Sequence, residues 1–584
     1  MLTCMLALGS ASTMAQQRTV QLKVIETSDV HGHFFPYDFI EGRELEGTLA
    51  RASTYVERLR RQYGDRLLLI DNGDILQGQP CTYWSNYVMP EDENLAASVI
   101  NYMRYDAETV GNHDIETGHA VYDKWIREVR CPVLGANIVD TENQLPYVRP
   151  YAIIERQVGD AQNPLTVKVA ILGMLTPAIP IWLNESLWQG LEFQEMVTCA
   201  RRWVRYIQQV EQPDLIFGLF HSGLNGGITM ENGIEEDATE RVAQEVEGFD
   251  AIFFGHDHQV HNVMLQSPSG RDVLCMDPSC YVRNVAEATV TLTYNGSQLV
   301  AKDIRGDIID VSREETDSSM MAHFQPQIDS IKAYVGRRIG TFATSAATRD
   351  SYFGNSAFID FIHQLQLQLT GADISFNAPL SFDTRIEAGP VTVADMFKLY
   401  RFENKLYVMR MTGHEIRGHL EMSYDQWVNT MTAPGDHLLL LNDNSRGDQQ
   451  RMGFRNFTFN FDSASGIDYE VDVTKPDGEK ITILCMSNGE PFDESRVYNV
   501  VMNSYRANGG GDLMVRGAGI PKDSLNGRIV YQSELDLRHY LMEEIERQGT
   551  VTPRAAHNWK FVPERWTRSA ARRDRQLLFG PNRR

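Results

Sequence analysis

The sequence predicts an α/β chain of two domains, and three observations carry that expectation. Short apolar, β-rich runs alternate with amphipathic stretches of helical length through the first half, the pattern of a layered α/β domain. At 584 residues the chain exceeds what one hydrophobic core ordinarily spans. Apolar residues make up 42% and charged residues 23%, ordinary for a globular protein. The formal net charge of −23 excludes a general nucleic-acid-binding surface. A small phosphate substrate stays open, because bound cations and a few arginines can dominate a cleft.

Taken in order, residues 1–17 have an apolar start and a small-residue region around Ala11-Ser12-Thr13-Met14-Ala15, which reads as a secretory signal; a frayed terminus is the other reading. No later run approaches the roughly 20 apolar residues of a membrane helix. Strands are expected at Val20–Ile25, Leu67–Ile70, Val167–Leu172, Leu215–Phe220 and Ala251–Phe254. Helices are expected at Leu49–Tyr63, Leu95–Met103, Ala120–Arg130 and Val197–Val210, with a polar helical segment at Asp237–Glu247. Asn284–Tyr294 alternates and reads as a solvent-facing strand closing a first domain at 18–313. A connecting helix is expected over 314–338 and a second domain over 339–553, including a helix at Ser356–Thr370 and strands at Leu406–Met411 and Val497–Asn503. The stretch Arg565–Arg584 carries seven arginines and one Asp, so 554–584 is expected to be a flexible basic tail; a short helix docked on an acidic surface is the alternative. The cysteines match no zinc ribbon or CxxC motif, which leaves disulfides, with Cys275 and Cys280 the nearest pair, and buried thiols both open.

Five polar clusters each follow an apolar run: Asp29-Val30-His31, Asp71-Asn72-Gly73-Asp74, Gly111-Asn112-His113-Asp114-Ile115-Glu116, His221 and His256-Asp257-His258. Loops at the carboxyl ends of strands are where α/β sheets place ligands. Asp29, His31, Asp74, Asn112, His221, His256 and His258 offer imidazole, carboxylate and amide donors with no thiolate, a set suited to Mn, Zn, Co or Fe rather than Ca. Two such ions about 3.5–4 Å apart clamp the attacking and leaving oxygens of a phosphoryl transfer. A single His after a strand is more often structural; it is the recurrence at five strand ends that points to two divalent metal ions.

With Thr27-Ser28-Asp29-Val30-His31-Gly32, Gly111-Asn112-His113-Asp114, His221-Ser222-Gly223 and Gly255-His256-Asp257-His258 in place, the chain resembles the calcineurin-like metallophosphoesterases. Within them it resembles the bacterial exported 5'-nucleotidases and 2',3'-cyclic-nucleotide 2'-phosphodiesterase/3'-nucleotidases, over about residues 20–530. The resemblance implies a layered β-sandwich flanked by helices, followed by a C-terminal α/β nucleotidase domain. It implies one metal on Asp29, His31 and His258, another on Asn112, His221 and His256, and Asp74 bridging. His113 would be the catalytic histidine. Glu116 stands where the 5'-nucleotidases carry an Asp, so Glu116 is taken as its orienting partner, with Asp114 the alternative. His33, His119 and His261 match no ligand position: His33 is read as lying behind the ligands or exposed, His119 on the following helix and His261 on the surface.

The second domain resembles the family's nucleoside grip at three stretches: Asn377 to Gly389 with Arg385, Tyr400 to Leu406 with Phe402 and Asn404, and Asn503 to Asp512 with Tyr505. Phe402 and Tyr505 would sandwich a base, at about 1–3 kcal/mol per stacked base, and Asn404 or Asp512 would bond its edge. The resemblance therefore implies a periplasmic or secreted hydrolase of small nucleotides, with no nucleic-acid polymer as partner. Details such as Tyr505-Arg506-Ala507 lean toward cyclic phosphodiesterase and 3'-nucleotidase activity. A 5'-nucleotidase/UDP-sugar hydrolase is the nearest alternative, and a non-catalytic nucleotide-binding protein the alternative of another class.

Overall fold

The structure is a computed structural model that describes residues 17–158, 165–230, 233–442 and 452–580. The secretory-signal reading falls on residues outside this set, except Gln17, which opens the first strand. The chain divides into two compact units. The first holds the chain up to Asp38, Arg43–Ile179 and Ser186–Pro326; the second holds Phe39–Gly42, Pro180–Glu185 and the chain from Gln327 onward.

The first unit is built on two six-stranded sheets. One runs in the order Gln298–Asp310, Asn284–Asn295, Gln17–Thr27, Leu67–Asp71, Ala107–Thr109, Val133–Leu134. The other runs Val260–Gln266, Asp272–Pro278, Ala251–Phe254, Leu215–His221, Thr166–Leu175, Tyr151–Gln157. Alternation explains how they meet. Val20, Leu22 and Val24 of the first sheet and Val167, Val169 and Ile171 of the second lie in one shared core. The intervening Ala170, Leu172 and Met174 face a second core formed with helix Met196–Val210 and with Val242 and Ala243 of helix Thr239–Glu245. Helices Leu49–Tyr63 and Leu95–Met103 bury one face each, through Leu49, Ala52, Val56 and Leu59 and through Leu95, Val99, Ile100 and Met103. The β-sandwich flanked by helices is as expected.

One strand differs. Asn284–Asn295 does not face solvent but lies inside its sheet, pairing Gln17–Thr27 on one side and Gln298–Asp310 on the other. Its alternate residues Ala286, Ala288, Val290 and Leu292 fill the shared core, so the alternation is that of a sandwich wall. The edge strand Gln298–Asp310 is polar along most of its length, which hid it in the sequence.

The connecting helix spans Ser318–Gly336, with Met320, Phe324, Ile328 and Ile331 buried. The second unit has a five-stranded sheet in the order Ser463–Ser465, Ile374–Asn377, Val497–Asn503, Lys405–Thr412, Ile529–Asp536. A three-stranded sheet, Ile481–Met486, Ile467–Asp472, Trp559–Val562, stands beside helix Gly413–Trp427. Helix Ala357–Thr370 is capped by the Ser356 hydroxyl, which accepts from the Ile359 N–H at 3.3 Å.

The expected flexible tail is instead a strand, Trp559–Val562, and a helix, Glu564–Phe579. Ala570 and Leu578 join the second unit's core, and Asp574, fully buried, accepts the N–H groups of Leu438 and Leu439 at 2.8 and 3.0 Å. The buried face is spelled by Thr567, Ala570, Asp574 and Leu578, too weakly apolar to show as a period among the arginines. Among the described residues all six cysteines are free thiols; Cys275 is buried within a strand and forms no bridge to Cys280.

Candidate metal centre

All five polar clusters lie at the carboxyl ends of strands that run parallel within their sheets. Gln17–Thr27, Leu67–Asp71 and Ala107–Thr109 are mutually parallel neighbours in one sheet, and Leu215–His221 and Ala251–Phe254 in the other. The loops are tight. Asp29, His31, Asp74, His256 and His258 have φ of +49°, +47°, +56°, +81° and +59°, a left-handed region uncommon for side-chain-bearing residues. Such strain costs on the order of 1–3 kcal/mol each and clusters where function requires a fixed side chain. Two glycines let the loops close. A Cβ on Gly111 would lie 2.1 Å from Asp74 Oδ1, and one on Gly255 would lie 2.0 Å from Ser28 Oγ.

The donor atoms form two adjoining groups. In the first, His31 Nε2 lies 3.2 Å from His258 Nε2, and His258 Nε2 lies 3.3 Å from Asp29 Oδ1. In the second, Asn112 Oδ1 lies 3.1 Å from His221 Nε2 and 2.8 Å from His256 Nδ1. Asp74 Oδ2 stands between them, 3.3 Å from His221 Nε2 and 3.8 Å from His31 Nε2.

The outer nitrogens settle which ring atoms are bare. His31 Nδ1 donates to the Gln77 carbonyl at 3.1 Å and His221 Nδ1 to the Asn72 carbonyl at 2.6 Å. His256 Nε2 donates to Glu236 Oε1 at 3.0 Å. In the neutral rings the opposite nitrogens therefore carry lone pairs, and these point at one another and at carboxylate and amide oxygens. Asp29 Oδ1 is buried and accepts no hydrogen bond. Facing lone pairs at these distances repel unless a cation lies among them. An ion with bonds of about 2.0–2.2 Å spaces adjacent ligands roughly 2.9–3.6 Å apart, close to the separations seen. The donor sets thus fit divalent ions.

The electrostatics express the same demand for positive charge. Burial disfavours a charged His221, yet the Asp74 and Asp29 carboxylates hold it up to about 10. His258 is likewise pushed well up against burial, by the adjoining Asp29 carboxylate, whose Oδ1 lies 3.3 Å from its Nε2. His31 goes the other way: burial, with His258 and His113 nearby, brings it down to about 3.

His113 stands beside these groups without offering an atom to either. Its backbone N–H donates to Asp74 Oδ1 at 2.8 Å, and its Nδ1 donates to Glu116 Oε2 at 2.6 Å. Burial opposes its charge, but Asp74 and Glu116 hold it up to about 9. Asp114 is not its partner. Fully buried, it accepts from the N–H groups of Gly111, Asp74, Ile75 and Leu76 at 2.8–2.9 Å and so ties the Asp74 loop to the Asn112 loop.

A model of the calcineurin-like phosphoesterases matches residues 22–260, and one of the 5'-nucleotidase C-terminal domain matches residues 338–516. The chain belongs to the calcineurin-like phosphoesterases with a 5'-nucleotidase C-terminal domain. Bacillus subtilis "Trifunctional nucleotide phosphoesterase protein YfkN" is 28% identical across 93% of this chain, which spans 39% of that protein. Haemophilus influenzae "2',3'-cyclic-nucleotide 2'-phosphodiesterase/3'-nucleotidase" is 26% identical across 93% of this chain and 88% of its own length. In fold, the chain matches a Staphylococcus aureus structure, provisionally assigned as a 5'-nucleotidase and solved with alpha-ketoglutarate, at a TM-score of 0.72 and 22% identity, covering 93% of this chain and 99% of that one. The family's use of divalent metal accords with the donor sets.

In the nucleotidase domain, Asn404 is buried; its Nδ2 donates to Tyr400 Oη at 3.4 Å and its Oδ1 accepts from Ser504 Oγ at 3.3 Å. That bond, with the Leu406–Asn503 strand pairing, joins the loop carrying Phe402 to the short helix Ser504–Ala507 carrying Tyr505, both side chains half-buried. Tyr505 meets Phe459 edge-on at 6.0 Å. Asp512 and Arg385 are exposed, the first bonded to Arg516 and the second to Glu387. Back in the phosphoesterase domain, His119 opens helix His119–Glu128, and His33 stacks on Tyr281 with ring centres 4.7 Å apart. His261 is half-buried rather than on the surface, bonded to Asp257 at 3.2 Å with its ring beside Phe254. Sequence reasoning missed Glu236, Tyr281 and the carbonyls of Gln77 and Asn72. Of these only Glu236, in an acidic Glu235-Glu236-Asp237 run after His221, carried any signal.

Among the described residues no helix is long and apolar enough to cross a membrane.

Proposed function

We propose that this chain hydrolyses nucleotide phosphoesters with two divalent ions, opening 2',3'-cyclic nucleotides at the 2' ester and releasing phosphate from 3'-nucleotides. The observation that carries it is the convergence of bare donor atoms from both sheets beside a histidine that belongs to neither set. Asp29, His31 and His258 would hold one ion and Asn112, His221 and His256 the other, with the Asp74 carboxylate available to either. Divalent ions so held supply Lewis acidity and acidify bound water. His113, braced by Glu116 through Nδ1, presents Nε2 to the phosphoryl oxygens or the leaving oxygen and donates its proton there. Phe402 and Tyr505 stack on the base, with Asn404, Asp512 and Arg385 at its polar edge. Residues 18–313 are the catalytic domain and 339–553 the nucleoside-binding domain of an exported enzyme.

The cyclic-phosphodiesterase branch is supported by the Haemophilus relative, matched over nearly its whole length. One observation favours a 5'-nucleotidase/UDP-sugar hydrolase instead: the His113–Glu116 bond at i,i+3, the spacing of the 5'-nucleotidase His/Asp pair. The complete donor sets speak against a non-catalytic nucleotide-binding protein. A panel of 2',3'-cyclic, 3'- and 5'-nucleotides and UDP-glucose, assayed with Mn or Co, separates the readings. Turnover of cyclic and 3'-nucleotides supports the proposal, turnover confined to 5'-nucleotides or UDP-glucose selects the alternative, and no turnover of any phosphoester at full metal occupancy defeats both.

A further inference from the structure

Glu236 lies outside every motif that suggested the metal centre. It belongs to strand Glu235–Asp237, which pairs with Gly226–Thr229 in a separate two-stranded hairpin between His221 and helix Thr239–Glu245. Its carboxylate is only 14% exposed, and both oxygens are engaged: Oε1 accepts from His256 Nε2 at 3.0 Å and Oε2 from the Ile228 N–H at 2.6 Å. Its carbonyl accepts from the Thr176 and Ser222 hydroxyls at 3.0 and 2.9 Å. The residue is thus fixed from three sides, and its free valence is spent on one imidazole.

His256 needs such a partner more than its neighbours do. His31 and His221 are oriented by backbone carbonyls, which fix each ring whatever the side chains nearby. His256 sits in a left-handed loop, and its outward nitrogen meets a side-chain carboxylate from a different segment. It also turns the opposite atom inward, Nδ1 rather than Nε2.

We propose that Glu236 is the positioning residue for His256: it holds the proton on Nε2 and aims the Nδ1 lone pair at the ion shared with Asn112 and His221. This rests on the two-ion reading above. Carboxylates that orient a ligating histidine typically change metal affinity 10–100-fold when removed. Gln is close in size but offers one oxygen where two N–H donors must be met, so Glu236→Gln frees either His256 or Ile228.

The test is metal stoichiometry and affinity, measured with Mn by competition against a chelator. Wild type should bind two ions. Glu236→Gln should keep one at wild-type affinity and bind the other 10–100-fold more weakly, with kcat recovering in excess Mn and KM for nucleotide unchanged. The metal-free variant should melt with the metal-free wild type. Thr176→Val removes a tether of the same hairpin without touching the carboxylate and should keep both ions.

Unchanged affinity for both ions in Glu236→Gln and also in Glu236→Ala, which leaves no acceptor for His256, overturns the proposal while leaving the two-ion reading intact. Loss of an ion in Thr176→Val also overturns it, because hairpin docking would then be the cause. Three ions in wild type, the third lost in Glu236→Gln, would make Glu236, Asp237 and His256 a cation site of their own. A wild type that binds no ion fails the underlying reading instead.

Discussion

If Glu116 acts only through His113, removing His113 should make Glu116 irrelevant to turnover. Their bond is 2.6 Å long and the side chains are 29% and 15% exposed, so it is charge-assisted and only partly screened. Glu116→Gln keeps the shape and removes the charge. The difference between a charged hydrogen bond, about 1.5–3 kcal/mol, and a neutral one, about 0.5–1.5, leaves roughly 1–1.5 kcal/mol, or about tenfold in kcat. His113→Ala removes the proton donor and should cost about 10²–10⁴-fold. Neither side chain contributes to the donor sets, and the His113 backbone bond to Asp74 survives both changes, so both variants should retain their metal. In the double variant the Glu116→Gln penalty should vanish, and the doubly substituted enzyme should turn over as slowly as His113→Ala alone. Steady-state kcat at saturating metal, with metal content measured in parallel, completes the cycle. Penalties that multiply would refute the reasoning, since Glu116 would then act on the reaction without His113.

Chelation should abolish turnover, and Mn, Co, Zn or Fe should restore it; ion at 100 times its Kd should add about 2.7 kcal/mol of stability, read as a rise in Tm. Phe402→Ala and Tyr505→Ala should each raise KM roughly 5–150-fold with kcat nearly kept, from the 1–3 kcal/mol of a stacked base, and an unchanged KM in both would remove the base sandwich. His363 is fully buried between the Ser375 and Ser463 hydroxyls, and burial lowers it from 6.5 to about 3. Only the unfolded chain takes up that proton, so its contribution is intact above about pH 6.5 and declines by about 1.4 kcal/mol per unit as pH falls toward 3; in denaturant unfolding across this window wild type should lose stability more steeply than His363→Gln by that amount. Asp574→Ala orphans the Leu438 and Leu439 N–H groups and should cost about 1–3 kcal/mol for each, measured the same way.

The sheet strands and the ligand loops were legible because each announces itself locally. Leu67–Ile70 and Ala251–Phe254 are apolar runs with nowhere to go but a buried sheet, and the polar residues that end them have no structural reason to recur. The carboxylate for His113 was legible only as a choice, because Asp114 and Glu116 stand one and three residues on, both near enough to serve. What separates them is the four N–H groups that occupy Asp114, and those come from two different loops. Glu236 was invisible for a related reason: its partner lies 20 residues on, past a helix and a strand, and an acidic run reads as solvated surface. The tail helix, expected only as the alternative, was hidden differently, since its buried face of Thr567, Ala570, Asp574 and Leu578 carries a single large apolar side chain.

The donor sets draw on both sheets, and that fixes when they can exist. His31 and His258 are 227 residues apart in the chain. At synthesis rates of about 5–20 residues per second, roughly 11–45 seconds separate the first of these histidines from the last. Asp29, His31, Asp74 and Asn112 are all made well before the second sheet's His256 and His258. A complete cradle is therefore a late event in the chain's history, and an ion taken up at full affinity reports that the two sheets have found their register.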